Sequence, residues 1–97
     1  MILLLKLITG EEVIGETDIG VDVDGSVTLH IPMALARHPE KGLVIMKYAP
    51  FARDKYVKFP RDGIMHVLTP VNALEDNYIQ STQEPSRIIA PSTNIIV

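Results

Sequence analysis

The side chains with chemistry to offer are few and scattered. His30, His38 and His66 stand apart with no His-x-x-x-His spacing, so a metal site would need the fold to gather all three. Strand and loop histidines are the simpler reading. None of Ser26, Ser81, Ser86 and Ser92 sits in a nucleophile elbow. Cysteine is absent, which removes thiol nucleophiles, disulfides and Cys-based zinc sites and suits a reducing, cytoplasmic setting. Gly10 and Gly15 flank a hairpin rather than a phosphate loop. Asp22-Val23-Asp24-Gly25 invites a calcium-loop reading, but the twelfth loop position would be Ile31, where a bidentate Glu is required. The remaining carboxylates alternate along one stretch and share one wet face, with nothing to set one pKa apart from its neighbour. The expectation is a protein that is not an enzyme and has no metal and no cofactor.

Charge is more informative. Residues 1–36 carry Lys6 against six acids, and residues 62–97 carry Arg87 against four. Between them, residues 37–61 hold Arg37, Lys41, Lys47, Arg53, Lys55, Lys58 and Arg61 against Glu40 and Asp54. A net charge of −3 argues against a generally basic binder, whereas a basic island in an acidic chain can form a polyanion face. The other reading is a set of solvated loops. With no Trp and five Tyr and Phe in all, few rings are available for base stacking.

These residues must be positioned by one small domain. At 97 residues with 46% hydrophobic and 22% charged side chains, the chain is globular, but a domain of this size is marginal alone. The run Met1–Lys6 is too short to span a membrane and lacks a signal-peptide leader. Period-two alternation dominates from Glu12 to Leu35. Val13, Thr17, Ile19, Val21 and Val23 alternate with Glu12, Glu16, Asp18, Asp22 and Asp24. This predicts a long strand with one acidic face, bent or bulged at Gly15 and Gly20. After the Asp24-Gly25 turn, Val27, Leu29, Ile31, Met33 and Leu35 form a second alternating run. Val13, Val21, Val27, Leu29 and Ile31 are therefore expected to face inward together. Ile2–Ile8 and Leu43–Tyr48 are apolar on both faces, as in a central strand or one buried against a partner. Ala49-Pro50-Phe51 interrupts the latter, so residues 43–59 form either one bent strand or two. Pro60-Arg61-Asp62-Gly63 reads as a turn and Ile64–Leu68 as a short strand. Thr69-Pro70 predicts a helix over 70–82, capped by Thr69, with Val71, Leu74 and Tyr78 on its buried stripe. Pro85 ends it, and Arg87–Val97 either pairs as an edge strand or dangles.

This order of parts resembles the Sm/LSm family, bacterial Hfq included. Leu7-Ile8-Thr9-Gly10-Glu11-Glu12-Val13-Ile14-Gly15 is similar to the opening of its first motif. Asp22 lies near the motif's Asp, and Ser26 stands where the family has a base-contacting Asn. Arg61-Asp62-Gly63 resembles its second motif, an Arg-Gly turn before the last strand. The N-terminal helix of the family is missing, and Asp24 replaces a base-stacking side chain. Another SH3-like barrel would share the strand order.

The resemblance covers residues 2–69. It implies a mostly β fold: a small, strongly bent, five-stranded Sm-like (SH3-like) open barrel over residues 1–69, with a short C-terminal helix and tail over residues 70–97. It also implies a homo-oligomeric ring closed by pairing of edge strands. Its partner would be RNA or single-stranded DNA, with no membrane role. The matching site positions are Asp22, Ser26, Arg61 and Gly63, with Lys55 and Lys58 from the basic island supplying phosphate contacts. The alternative is an oligomeric scaffold that docks a protein partner without binding nucleic acid.

Overall fold

A computed structural model describes residues 1–83. The expected break at Pro85 and the edge strand at 87–97 lie outside the described residues. Six strands, β1 (Ile2–Leu7), β2 (Glu12–Glu16), β3 (Val27–His38), β4 (Gly42–Lys47), β5 (Tyr56–Phe59) and β6 (Ile64–Leu68), precede one helix, α1 (Asn72–Gln83). All pairings are antiparallel, in the order β6-β1-β2-β3, and β3 then takes both β4 and β5 as partners on its far side. The sheet is strongly divided but not closed into a barrel. No helix among the described residues is long and apolar enough to cross a membrane.

The division begins at Ile31, a β-branched residue held at φ +51°, where side chains are strained. Glu16 pairs with His30 and Ile14 with Met33, so β3 carries one extra residue opposite β2. This is a bulge, and a one-residue slip exchanges the two faces. Val27 and Leu29 accordingly join an inner cluster with Leu5, Leu7, Val13 and Phe59. Met33, two alternations later in the same sequence pattern, joins an outer cluster with Ile14, Leu74 and Tyr78. The expectation that Ile31 faces inward fails because the bulge falls on it.

Residues 43–59 resolve into two strands. β4 pairs with Met33–His38 and β5 with Val27–His30, one on each side of the bulge. As expected, β1 is central, with Leu5 and Leu7 inside and Ile2 and Leu4 against the outer cluster.

The long strand expected from Glu12 to Asp24 stops at Glu16. Thr17 is buried; its N–H donates to the Met1 carbonyl at 2.8 Å and its hydroxyl accepts from the Gly20 N–H at 3.2 Å. This local turn competes with the ladder. Beyond it Val21 makes only an isolated bridge to Val27 and is half exposed, not inward. Gly15 does serve β2: a Cβ there would lie 2.8 Å from Leu29 Cβ, so the two strands pack closely only with glycine.

The helix starts later than Thr69-Pro70 suggested. Its first bond runs from the Glu75 N–H to the Val71 carbonyl at 3.0 Å, so Val71 rather than Thr69 occupies the cap. Val71 is exposed, and the buried stripe is Leu74 and Tyr78 with half-buried Ile79.

Candidate nucleic-acid interface

The turn between β2 and β3 is built from Asp22 to Ser26. The Asp22 N–H donates to the Ser26 carbonyl at 2.8 Å, and the Gly25 N–H returns to the Asp22 carbonyl at 2.9 Å. Gly25 has φ +87°, a conformation glycine adopts without penalty. Asp24 Oδ1 accepts from the Ser26 hydroxyl at 2.6 Å and from the Ser26 N–H at 2.9 Å. These bonds, the hydroxyl's first, hold the Asp24 carboxyl below its ordinary value of 3.8. Lys58 Nζ, 3.6 Å from Asp24 Oδ2, adds to the effect.

Arg61 belongs to the same corner. It opens a single 3-10 turn, Arg61–Gly63, between β5 and β6. Its aliphatic stem lies over Gly25 so closely that a Cβ there would come within 2.5 Å of Arg61 Cδ. Two segments far apart in sequence thus meet, and Asp22, Asp24, Ser26, Lys58 and Arg61 share one end of the sheet. Gly63 anchors the arrangement: its carbonyl accepts from the Ile8 N–H at 3.0 Å, and its N–H donates to the Pro60 carbonyl at 2.9 Å.

The six expected site residues are not equivalent. Ser26 is buried and its hydroxyl is engaged within the turn. Lys58 and Arg61 are exposed, but each has a carboxylate nearby, Asp24 for the first and Asp62 at 3.9 Å for the second. Exposed pairs of this kind are weak and yield readily to a phosphate. Lys55 lies elsewhere. Its carbonyl accepts from the Ile31 N–H at 2.6 Å, which places it at the bulge, where it borders a hollow of about 490 Å³ together with Lys47 and Arg53. The basic island is therefore split into a corner group and a bulge group.

The histidines have separate tasks. His38 Nδ1 accepts the N–H groups of Glu40 and Lys41, both at 3.1 Å, and shapes the β3–β4 turn. His66 is exposed on β6. His30 stacks on Tyr56, with ring centroids 4.5 Å apart and planes 24° from parallel. Glu16, His30 and Tyr56 form one cross-strand row over β2, β3 and β5. The pair depends on the β3–β5 register, which alternation within one strand does not supply. The available signal was that Thr28 with His30, and Tyr56 with Lys58, each recur at period two.

No protein family matches the chain, and no curated protein emerges as a relative.

Proposed function

We propose that the chain is a divergent Sm-like protein that assembles into a homo-oligomeric ring and binds single-stranded RNA or DNA without catalysing a reaction. The observation that carries this reading is the meeting of Arg61 with the Asp22–Ser26 turn. These are the two segments that the resemblance assigns to nucleotide contact, and their apposition creates a corner with an exposed guanidinium at its rim. A guanidinium can hold a phosphate bidentately or stack on a base.

The strand order supports the same reading. The described strands run β6-β1-β2-β3 with β4 and β5 beyond, which is compatible with a five-stranded sheet whose fourth strand is broken in two. Its ends are open edges, and β6 exposes Met65, Val67 and Leu68. Unpaired edges with apolar side chains invite strand pairing, and a head-to-tail contact of one end on the other closes into a ring. Lys47 and Lys58 on the edge formed by β4 and β5 count against that pairing, because edge lysines blunt strand addition. The cysteine-free composition fits a reducing, cytoplasmic setting.

Light scattering and fluorescence anisotropy test the proposal together. A ring of roughly five to eight copies is expected, with oligo-U, oligo-A and oligo-dT all bound at low salt. Affinity should fall with salt by about 0.7 log units per log unit for each phosphate neutralised, and Arg61→Ala should weaken binding to every oligomer. A ring that binds none of them would favour the scaffold reading, to which fully exposed Phe51 and Val23 would then belong as partner contacts. A monomer would remove the assembly.

A further inference from the structure

The sheet divides at the bulge, and the division leaves a gap. β4 ends at Lys47, opposite Met33, and β5 begins at Tyr56, opposite His30. Between those pairs lie Ile31 and Pro32 of β3. The Ile31 N–H donates to the Lys55 carbonyl, the Pro32 carbonyl accepts from the Tyr48 N–H, and the Ile31 carbonyl is taken by the Tyr78 hydroxyl. Pro32 has no N–H to leave without a partner. The backbone of the gap is thus satisfied without a side chain filling it. The chain between β4 and β5 turns back where the Ala52 N–H donates to the Ala49 carbonyl at 3.0 Å. Two alanines at this turn project too little to close the gap. The result is the hollow of about 490 Å³, within the roughly 300–1,000 Å³ of small-molecule sites.

Its floor is apolar: Ile31, Pro32 and Val57, each buried or half-buried. Its rim holds Lys47, Arg53 and Lys55 against the single acid Asp54, in a chain whose net charge is −3. Among the described residues none of these three cations has an ion-pair partner, whereas Lys58 and Arg61 of the corner group do. Ile31 is held at φ +51° in the floor. Such strain persists only where the surroundings enforce it, and it collects at ligand sites.

We propose that this hollow binds a small organic acid, an apolar body with one anionic head, of the class of a medium-chain carboxylate. The body covers Ile31, Pro32 and Val57, and the head is held at the rim. The Arg53 guanidinium can grip a carboxylate through two parallel hydrogen bonds, and the lysines add point charge. Other classes fit less well. A bare inorganic anion gains nothing from an apolar floor. A neutral apolar molecule leaves the three cations without a counter-charge. A single strand would find no ring to stack on, because the lining has no aromatic side chain. The inference is independent of the nucleic-acid reading.

Competition on the full chain tests this. Anilinonaphthalenesulfonate, an aryl anion that reports apolar surface by its fluorescence, is displaced by octanoate, octanamide or inorganic phosphate. Octanoate is expected to compete best, with octanamide about tenfold weaker. Arg53→Gln with Lys55→Gln should weaken octanoate by about tenfold and leave octanamide unchanged. Ala52→Trp, at an exposed turn position, should fill the hollow and remove octanoate binding with every charge in place. Circular dichroism checks that each variant folds. If octanamide equals octanoate and the double substitution changes nothing, the surface is merely apolar and the proposal is overturned. Phosphate competing as well as octanoate would overturn it in favour of a bare anion site. Unchanged octanoate binding in Ala52→Trp would remove the hollow as the site. Displacement of octanoate by oligo-U in an Arg61→Ala chain would give the hollow to nucleic acid instead. Absence of octanoate binding overturns the proposal whatever the oligonucleotides do.

Discussion

The inner and outer clusters bury the same kinds of side chain by different means. The inner one, Leu5, Leu7, Val13, Val27, Leu29 and Phe59, is supplied by strands alone, with Tyr48 meeting Phe59 edge to face at its margin. The outer one has two strand residues, Ile14 and Met33, and two from α1, Leu74 and Tyr78. A helix of 12 residues is marginal in isolation, so α1 forms because it docks. The sheet's inner face is therefore secured by the fold's own topology, and its outer face by a single strap. The two meet at the bulge, where the Tyr78 hydroxyl on α1 donates to the His30 and Ile31 carbonyls.

The largest effect should come from the inner cluster. Val27 is fully buried there, and Val27→Asp would bury a charge without a partner, at a cost of several kcal/mol. That is most of what a domain of this size has, so no soluble folded protein is expected, by yield and circular dichroism. Glu16→Lys, on the open outer face, should fold normally. Next comes Leu74→Ala on the strap, which should destabilise by about 2–5 kcal/mol. Its signature should be local. Hydrogen exchange is expected to speed up in α1 more than in β1, β2 and β3. Equal loss of protection everywhere would mean that the two clusters unfold as one unit.

Much of the inner cluster was legible in the sequence because period two needs no tertiary information. Val13, Val27 and Leu29 were placed correctly by alternation alone. The same alternation misled at Val21 and Ile31. At Val21 the Thr17 hydroxyl and Gly20 had already turned the chain out of the ladder. At Ile31 the bulge exchanged the faces, and a bulge is decided by what the partner strand offers. Alternation locates each strand of the sheet but overruns β2, which ends at Glu16 rather than Asp24, and does not decide between one strand and two over residues 43–59; one short helix is also predicted, though not its observed capping residue. For the candidate site, the resemblance named both segments of the corner, Asp22–Ser26 and Arg61–Gly63, but their meeting over Gly25 depends on tertiary packing that no local pattern carries. The His30–Tyr56 stack likewise rests on a register between residues 26 positions apart.

A smaller effect should come from Tyr78, which ties the strap to the bulge. Its hydroxyl donates to the carbonyls of His30 and Ile31, at 2.6 and 2.9 Å. Tyr78→Phe leaves those carbonyls without this partner and should cost about 1 kcal/mol. Burial first, and the Glu16 charge after it, push the Tyr78 hydroxyl up from 10.0 to about 12. The folded protein therefore retains a proton that the unfolded chain releases. Stability from this group is complete below pH 10 and is lost as pH rises toward 12. Alkaline denaturation of Tyr78→Phe should lack that component. If it titrates like the parent, the hydroxyl is not what fastens the strap.

The smallest effect on stability should come from Asp24, at the end of the sheet remote from the strap. Its carboxyl is held below 3.8, chiefly by the Ser26 hydroxyl. The contribution is therefore present above pH 3.8 and disappears as pH falls through the lower folded value. Asp24→Asn should melt slightly below the parent at neutral pH, and the difference should close in strong acid; a gap that persists there would assign the loss to turn geometry instead of charge. The same substitution removes the carboxylate beside Lys58. Under the proposed function it should thus raise the affinity for single strands while lowering the melting temperature, because a neutral amide no longer competes with phosphate for that ammonium. Opposite movement of the two readings would separate this corner from the strap, where Leu74→Ala should act on stability and leave Lys58 and Arg61 their charges. If binding and stability fell together in Asp24→Asn, the carboxylate would be supporting the turn on which Arg61 rests rather than restraining Lys58.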